Sequence, residues 1–204
     1  RWGIEPGGGE LDFAATFGNA APVILEIGFG NGDATWRMAE AEPQHNFLAV
    51  EVHRPGVGRL LLMLAQRGIG NVRVVCADAV QVLRERVPPG SLDGVRIYFP
   101  DPWPKKRHHK RRILQPAFVD LLASRMRNGA ILHLATDWAP YAEHMLDVLR
   151  GSGRFANLSP AGGGCPRPEW RPRTKYERRG ERLGHPVCDL VFRRLPERTP
   201  HGLE

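Results

Sequence analysis

Residues 23–32 read VILEIGFGNG, an apolar run that leads directly into three glycines at alternate positions. Residues 23–27 are typical of a buried strand, and a helix is predicted at about residues 33–41. A glycine turn between a strand and a helix lets the backbone approach a ligand at the helix N-terminus, although the same turn also occurs without a ligand. The spacing is GxGxG and not the GxGxxG of dinucleotide-binding folds. Glu26, inside the strand, suits a cationic cofactor better than a pyrophosphate.

Strand-like and helix-like stretches alternate along the rest of the chain. This alternation predicts an α/β fold with seven strands in a mostly parallel sheet and helices on both faces. Such sheets bind ligands at the carboxyl ends of their strands. The further predicted strands cover residues 47–50, 72–76, 95–99, 130–135, 155–158 and 187–192. The further predicted helices cover residues 56–67, 79–87, 115–127 and 140–150.

Acidic residues mark three successive predicted strands. Glu26 lies within the first strand, Glu51 follows the second and Asp78 follows the third. Glu51 is placed where Rossmann-type sheets present an acid to a ribose diol, although a strand-end glutamate is also commonly just exposed. Asp78 is equally suited to accept a hydrogen bond from an adenine amino group and to cap the helix that follows. Together the three acids predict a slot for a neutral or positively charged nucleoside.

After the fourth predicted strand, residues 99–112 read FPDPWPKKRHHKRR. Three prolines in five positions restrict the backbone around Asp101 and Trp103, so both side chains are expected at defined angles. Trp103 either stacks on a base or packs against its own loop. Like-charge runs are often disordered or simply solvated. This run lies between a predicted strand and a predicted helix, which favours a functional surface.

The positive charge of the chain is concentrated in two segments. The formal net charge is +7, of which residues 105–112 carry +6 and residues 167–182 carry +4, so the remainder carries −3. Focused positive charge on a slightly acidic scaffold indicates a polyanionic partner, most commonly nucleic acid. A membrane surface is the competing partner, but the run lacks the interleaved bulky apolar residues of an interfacial helix.

The bulk composition narrows the class of protein. A chain of 204 residues suits one domain. The three cysteines are far apart and lack a CxxC pair, so neither a disulfide framework nor a zinc site is expected, and a reducing cytoplasm is favoured. The histidines show no metal-ligand spacing. No apolar run approaches the roughly 18 to 20 residues that span a bilayer.

The glycine turn and the three acids together resemble the S-adenosylmethionine pocket of class I methyltransferases. Read in order, five segments resemble the bacterial tRNA (guanine-N7)-methyltransferase family over about residues 22–193. The segments are EIGFGNG (26–32), VEVHRPGVGRLL (50–61), YFPDPWPKKRHHKRR (98–112), ATDW (135–138) and RPRTKYERRGERLGH (171–185). Asn31 stands where Met is expected, and Tyr176 stands where Phe is usual.

The resemblance implies a single methyltransferase domain over residues 1–204 with a Rossmann-like class I fold. Residues 1–21 are expected to be an N-terminal remnant, residues 22–193 the catalytic fold, and residues 159–184 a basic substrate loop. The implied cofactor is S-adenosylmethionine and the implied partner is tRNA, with no membrane and no metal. The implied product is N7-methylguanosine in the variable loop, and the choice between monomer and homodimer stays open.

The resemblance also assigns roles to individual residues. Asp101 is the expected catalytic residue. The expected cofactor-binding residues are Glu26, Gly28, Gly30, Glu51, Asp78 and Asp101. The expected substrate-binding residues are Lys105, Asp137, Thr174, Lys175, Tyr176 and Glu177. The expected RNA-binding residues are Arg107, His108, His109, Lys110, Arg111 and Arg112.

The chemistry of guanine N7 agrees with these residues. N7 has a free in-plane lone pair, so it attacks a methyl donor without prior deprotonation and needs no strong base. Asp101 is then expected to act by positioning and negative potential. Asp137 is expected to accept from guanine N1 and N2, as acids do from amine donors. Trp138, beside Asp137, is expected in the core.

Three other functions are compatible with parts of the sequence. An exocyclic-amine methyltransferase also uses a proline-rich motif after the fourth strand, but the Asp-Pro-Trp-Pro order and the cationic run argue against it. A non-catalytic RNA-binding module would not need all three strand-end acids and Asp101. An NAD-dependent dehydrogenase is disfavoured by the glycine spacing and by the lack of a proton-relay set.

Overall fold

The structure, a computed structural model, describes residues 1–174, 177, 184 and 186–197. Eight strands and six α-helices are formed within these residues, together with one 3₁₀ helix at Lys106–Arg111. The strands are β1 (Gly3–Ile4), β2 (Val23–Ile27), β3 (Asn46–Val50), β4 (Val72–Val75), β5 (Leu92–Tyr98), β6 (Met126–Thr136), β7 (Phe155–Asn157) and β8 (Cys188–Arg194). The α-helices are α1 (Phe13–Phe17), α2 (Asp33–Ala41), α3 (Arg54–Arg67), α4 (Ala79–Glu85), α5 (Pro116–Arg125) and α6 (Ala139–Ser152).

All the strands belong to one sheet, in the order β1-β4-β3-β2-β5-β6-β8-β7. The first six strands along the chain run parallel, while β8 is antiparallel to β6 and β7 is antiparallel to β8. Strand order reverses between β2 and β5, which opens a crevice at their carboxyl ends. The predicted Rossmann-like α/β fold is confirmed. The described strands number eight and not seven because the two-residue β1 adds to the edge at β4.

Side chains that alternate along the strands divide the core between the two faces of the sheet. Leu25 and Leu48 belong to one buried cluster, which includes residues from α4, α5 and α6. Ile24 and Phe47, one position earlier in each strand, belong to the other cluster with residues from α2 and α3. Because neighbouring strand residues point to opposite faces, both faces are covered by helices, as predicted.

The N-terminal segment packs onto this sheet. Asp12 caps α1 by accepting from the backbone of Ala15, and Leu11 and Phe17 are buried in the larger core cluster. The indole N–H of Trp2 donates to the carbonyl of Ile69 at 2.7 Å. The N-terminal segment therefore contributes Leu11 and Phe17 to the hydrophobic core, while the division of the chain at residue 22 stays a prediction.

Asn128 and Gly129, which follow the helix predicted over residues 115–127, lie inside β6. Helix α5 ends at Arg125, two residues before the predicted end, and the chain enters β6 directly. The ladder between β5 and β6 is irregular between its Leu92 and Gly94 pairs, and Gly129 has a φ of 84°. Glycine readily adopts this positive φ, which other residues rarely do. The Asn-Gly pair therefore marks an irregularity in the strand and not the end of a helix.

Three further features concern the cysteines, membrane-spanning helices and metal ligands. The three cysteines carry free thiols. Among the residues that the structure describes, no helix has the length and apolar character needed to cross a membrane. Within the same residues, no cluster of three or more His, Cys, Asp or Glu side chains has the arrangement of a metal site.

Candidate active site

The glycine turn after β2 forms the floor of the crevice. Gly28, Gly30 and Gly32 have φ values of 73°, 56° and 75°, a region that L side chains rarely adopt. A Cβ built at Gly28 or Gly30 would point into open space, whereas one at Gly32 would lie 2.8 Å from Leu60. The first two glycines thus leave room beside the backbone for a ligand, and the third permits close packing on α3.

Two adjoining cavities, both bordered by Gly28, lie along this floor. Each encloses about 320 Å³. The polar side chains of the first cavity include Glu51, Asp78, Asp101 and Arg111. Those of the second include Glu26, Arg171 and Thr174, beside the rings of Tyr98 and Phe99.

Glu51 braces the glycine turn. Its Oε2 accepts from the backbone N–H of Gly30 at 2.8 Å, and its Oε1 accepts from the N–H groups of Val52 and His53 at 2.7 and 3.0 Å. These bonds fix the half-buried carboxylate at the end of β3, against the first cavity. Contact with a ribose diol stays a prediction for this residue.

Asp78 caps α4. Its Oδ1 accepts from the backbone N–H groups of Val80 and Gln81 at 2.9 and 3.0 Å. The capping role, one of the two weighed from the sequence, is therefore confirmed. Oδ2 takes no part in the cap, and the side chain also borders the first cavity, so contact with an adenine amino group stays a prediction.

Glu26 is a buried acid that borders the second cavity. Its side chain is 2% exposed, and Oε2 has no hydrogen-bond partner within the described part of the chain. The pKa of Glu26 is raised to about 7, mainly by burial and to a smaller degree by Glu51, while Thr35 and Arg96 oppose the rise. A buried carboxylate with an unused oxygen beside an open glycine turn fits a ligand with a positively charged group.

The turn that carries Asp101 is held in an uncommon backbone conformation. Phe99 and Trp103, on either side of it, have φ values of 52° and 42°. Non-glycine residues in this region are concentrated at functional sites, where the surrounding structure must impose the conformation. Phe99 donates its backbone N–H to Ala135 at 2.7 Å, and Arg112 Nε donates to the Pro102 carbonyl at 2.9 Å. Asp101 itself is exposed at the first cavity.

Trp103 packs against the basic residues that follow it. The guanidinium of Arg111 lies 5.0 Å from its ring centroid, and the ring of His108 meets it edge to face at 5.8 Å. Of the two roles considered for Trp103, the structure shows packing against its own loop. Its border on the first cavity leaves base stacking as a prediction.

The basic segment forms the 3₁₀ helix Lys106–Arg111, which is followed by one buried arginine. Its exposed cations are Lys105, Lys106, Arg107, Lys110 and Arg111, while His108 and His109 are half-buried. Arg112 is only 3% exposed; its guanidinium bonds to Pro102 and packs 4.8 Å from the ring of Tyr141. Arg112 is therefore not among the exposed cations, since its charge is buried beneath the Asp101 turn, and its contact with RNA stays a prediction.

The predicted substrate loop is attached to the sheet by side chains that the sequence did not single out. Arg171 forms paired bonds with Asp189 of β8 and with Glu177. Thr174 borders the second cavity. Glu177 is 5% exposed and both of its carboxylate oxygens accept from Arg171, which is a structural role; its contact with substrate stays a prediction. Lys175 and Tyr176 lie outside the described residues.

Asp137 and Trp138 follow β6 at the same edge of the sheet. Asp137 is exposed and borders neither of the two cavities. Trp138 is 38% exposed, so its expected place in the core is wrong; its backbone begins α6 while its indole reaches the surface. Lys105 is likewise exposed at the start of the basic helix.

A family model described as "Putative methyltransferase" matches residues 20–190, and the fold is the Rossmann-like fold of class I methyltransferases. The structure is similar to that of the 16S rRNA methyltransferase KamB, with a TM-score of 0.63 at 17% identity over 93% of this chain and 96% of that chain.

Curated relatives are much more similar to this chain in sequence than KamB is. The tRNA (guanine-N(7)-)-methyltransferase of Streptomyces avermitilis is 55% identical over 98% of this chain and 69% of the relative. The protein of the same name from Halorhodospira halophila is 54% identical over 97% of this chain and 86% of the relative. The chain belongs to the tRNA (guanine-N7)-methyltransferase family, and the predicted family membership is confirmed.

Proposed function

We propose that this protein is an enzyme that transfers the methyl group of S-adenosylmethionine to N7 of a guanine in the variable loop of tRNA. One observation carries the proposal: the buried Glu26, the glycine turn and the exposed Asp101 turn meet at one edge of the sheet, directly before the basic helix. We assign the whole chain to one methyltransferase domain, because the N-terminal segment shares its core.

The residues of the crevice fit S-adenosylmethionine. Glu26 offers an unpartnered carboxylate oxygen to the ammonium group of the cofactor, and Gly28 and Gly30 leave space beside the backbone. Glu51 and Asp78 offer acceptors for ribose hydroxyls and for the adenine amino group. When bound, S-adenosylmethionine supplies an electrophilic methyl group on a positively charged sulfur.

The protein's own contribution to methyl transfer is positioning and electrostatics. Guanine N7 already has a lone pair, so the site needs no group to remove a proton. Asp101, on its constrained turn, supplies negative potential where positive charge develops on the purine. Asp137 accepts hydrogen bonds from the Watson–Crick edge of the guanine. Proper alignment of reacting atoms accounts for much of the rate enhancement in such transfers.

The five exposed cations of the basic segment hold the RNA backbone next to this site. Phosphate contacts of this kind fix the register of a nucleic acid without reading its sequence. The choice of guanine then falls to the residues of the crevice and to the predicted contacts of Thr174, Lys175 and Tyr176.

Product identification tests the proposal. The protein is incubated with labelled S-adenosylmethionine and unmodified tRNA, and the RNA is digested and its nucleosides separated by mass spectrometry. We expect N7-methylguanosine from the variable loop. A label on an exocyclic amine would assign the alternative methyltransferase activity. Cofactor binding by calorimetry without any methylated product, or no binding at all, would favour the non-catalytic RNA-binding module.

A further inference from the structure

A buried ion network joins the substrate loop to strands β5, β6 and β8. Arg171 of the loop is 1% exposed; its Nε and one terminal nitrogen donate to the two oxygens of Asp189 at 2.6 and 2.8 Å. Its two terminal nitrogens donate to Glu177 at 2.7 and 2.8 Å. His133 of β6 and Tyr98 of β5 complete the network.

His133 contributes to this network as a neutral ring. Its Nδ1 accepts from the indole N–H of Trp170 at 3.0 Å, so Nε2 carries the proton and donates to Asp189 at 2.8 Å. Burial lowers the pKa of His133. Trp170 belongs to the same loop as Arg171, which gives the loop a second attachment to the sheet.

Among the described residues, one guanidinium therefore pairs with two buried carboxylates. Each takes a two-point contact from Arg171, a geometry that a planar guanidinium provides and a lysine ammonium does not. Removing this cation would take away its positive charge and its two-point contact from each of the two buried carboxylates. The network is therefore specific to arginine at this position.

Arg171 also contacts residues on two sides of the second cavity, the strand-end rings directly and Thr174 through Glu177. Its guanidinium lies 5.6 Å from the ring centroid of Phe99 and 5.9 Å from that of Tyr98. Phe99 is the left-handed residue two positions before Asp101. On the loop side, Glu177 exchanges bonds with Thr174: the Glu177 N–H donates to Thr174 Oγ1 at 3.2 Å, and the Thr174 N–H donates to Glu177 Oε2 at 3.4 Å.

We propose that Arg171 is a positioning residue of the methyl-transfer site, which fixes Thr174 over the cavity through Glu177 and supports the Asp101 turn through Phe99. The inference rests on the proposed function and names a residue that acts on the site through its neighbours. It predicts that loss of the two-point contacts lowers the rate of transfer while the basic segment still binds tRNA.

The test compares Arg171→Lys with the wild-type protein in steady-state methylation of tRNA. We expect kcat to fall about 10- to 100-fold, because a small misplacement of aligned groups costs that much in rate. The KM for tRNA is expected to change less than about threefold, since the exposed cations of the basic helix are untouched. A kcat within about threefold of wild type would overturn the proposal.

Glu177→Gln is the second variant, and it decides the question if Arg171→Lys does not fold. The amide keeps the shape of the side chain but loses its charge, and we expect the same fall in kcat in milder form. Its control is Asp93→Asn, which weakens a half-buried carboxylate pair at the opposite, amino-terminal edge of the sheet, where Asp93 accepts from the Val23 N–H at 2.8 Å and from Arg127 at 3.1 Å. Equal falls in kcat for Asp93→Asn and Glu177→Gln would show a general loss of stability and overturn the proposal.

Coupling to Thr174 identifies the route of the effect. If Arg171 acts through the loop, Arg171→Lys and Thr174→Val should be strongly non-additive in kcat. Fully additive effects would overturn a route through Thr174. Failure of the proposed function is recognised separately, because the wild-type protein would then form no N7-methylguanosine in the same assay.

Discussion

Glu26 is the most deeply buried of the acids in the crevice. It lies inside β2, where neighbouring strands and helices exclude solvent, and its pKa is raised to about 7 from an ordinary value of 4.5. Between about pH 4.5 and pH 7, the side chain of Glu26 is mostly protonated in the folded protein and mostly ionised in the unfolded chain. The free energy of unfolding therefore falls as pH rises from about 4.5 to about 7 and stays lower above that.

We expect Glu26→Gln to stabilise the ligand-free protein at about pH 8 by roughly 1 to 3 kcal/mol, with little change at about pH 4. The neutral amide removes the need to bury a charge. Urea unfolding at the two pH values measures the effect. A destabilised variant at the higher pH would contradict the assignment of a costly buried carboxylate.

The same substitution should weaken cofactor binding. S-adenosylmethionine carries positive charge, so wild-type affinity should rise between about pH 6 and pH 8 as Glu26 ionises, while the Gln variant should bind about 10- to 100-fold more weakly at pH 8. Isothermal calorimetry at both pH values gives the two curves. Parallel pH dependence in the two proteins would exclude Glu26 as its source.

Asp101, in contrast to the buried Glu26, is exposed to solvent on a constrained turn. We expect Asp101→Asn to lower kcat about 100-fold or more, because the amide cannot supply negative potential to the purine, while the Kd for tRNA changes less than about threefold. Rates with saturating substrates and a filter-binding Kd separate the two effects.

Asp147→Asn provides the control for this substitution, since that exposed acid lies on α6. It should leave both quantities unchanged. Unchanged methylation by Asp101→Asn would remove Asp101 from its proposed role.

At the scale of elements, the basic helix divides its charges between surface and interior. Five cations are exposed, and Arg112 is buried beneath the Asp101 turn. Counterion release from five phosphate contacts predicts that log K for tRNA falls by about 3.5 to 4.5 per unit of log salt from this segment. Lys106→Gln should lower that slope by about 0.7 to 0.9.

Salt titrations of tRNA binding by the wild type and by Lys106→Gln measure this slope. Arg112→Gln serves as the contrast: it should reduce the melting temperature, because it loses the bond to Pro102 and the contact with Tyr141. A near-flat titration of the wild-type protein would contradict the phosphate contacts.

At the scale of the whole molecule, the N-terminal segment is part of the folding unit. Phe17 of α1 is buried in the larger core, and Phe13 is only half-buried beside it. We expect Phe17→Ala to lower the free energy of unfolding by about 3 kcal/mol, from lost burial and a residual cavity. Phe13→Ala should cost clearly less. Urea unfolding gives both values, and equal small losses would show that α1 contributes little to the core.

Much of the fold could be predicted from local patterns. The strand and helix around the first glycine turn begin and end where the sequence indicated, because apolar periodicity and glycine act over a few residues. The pattern did not reveal the two-residue β1, whose pairing with β4 depends on residues far along the chain. The helix predicted over residues 115–127 extends too far for the same reason, because residues from Met126 onward pair with β5 as part of β6.

The candidate site shows the same division. The sequence by itself determined the family, the acids at the strand ends and the position of the basic segment, because these depend on residue type and spacing. Only the tertiary structure decided that Arg112 is buried, that Glu177 pairs with Arg171, and that Asp189 and His133 support the substrate loop. Burial and ion pairing arise from contacts between residues that are distant in the chain. The sequence shows that a side chain is charged, but it does not show whether that charge faces solvent or another charge.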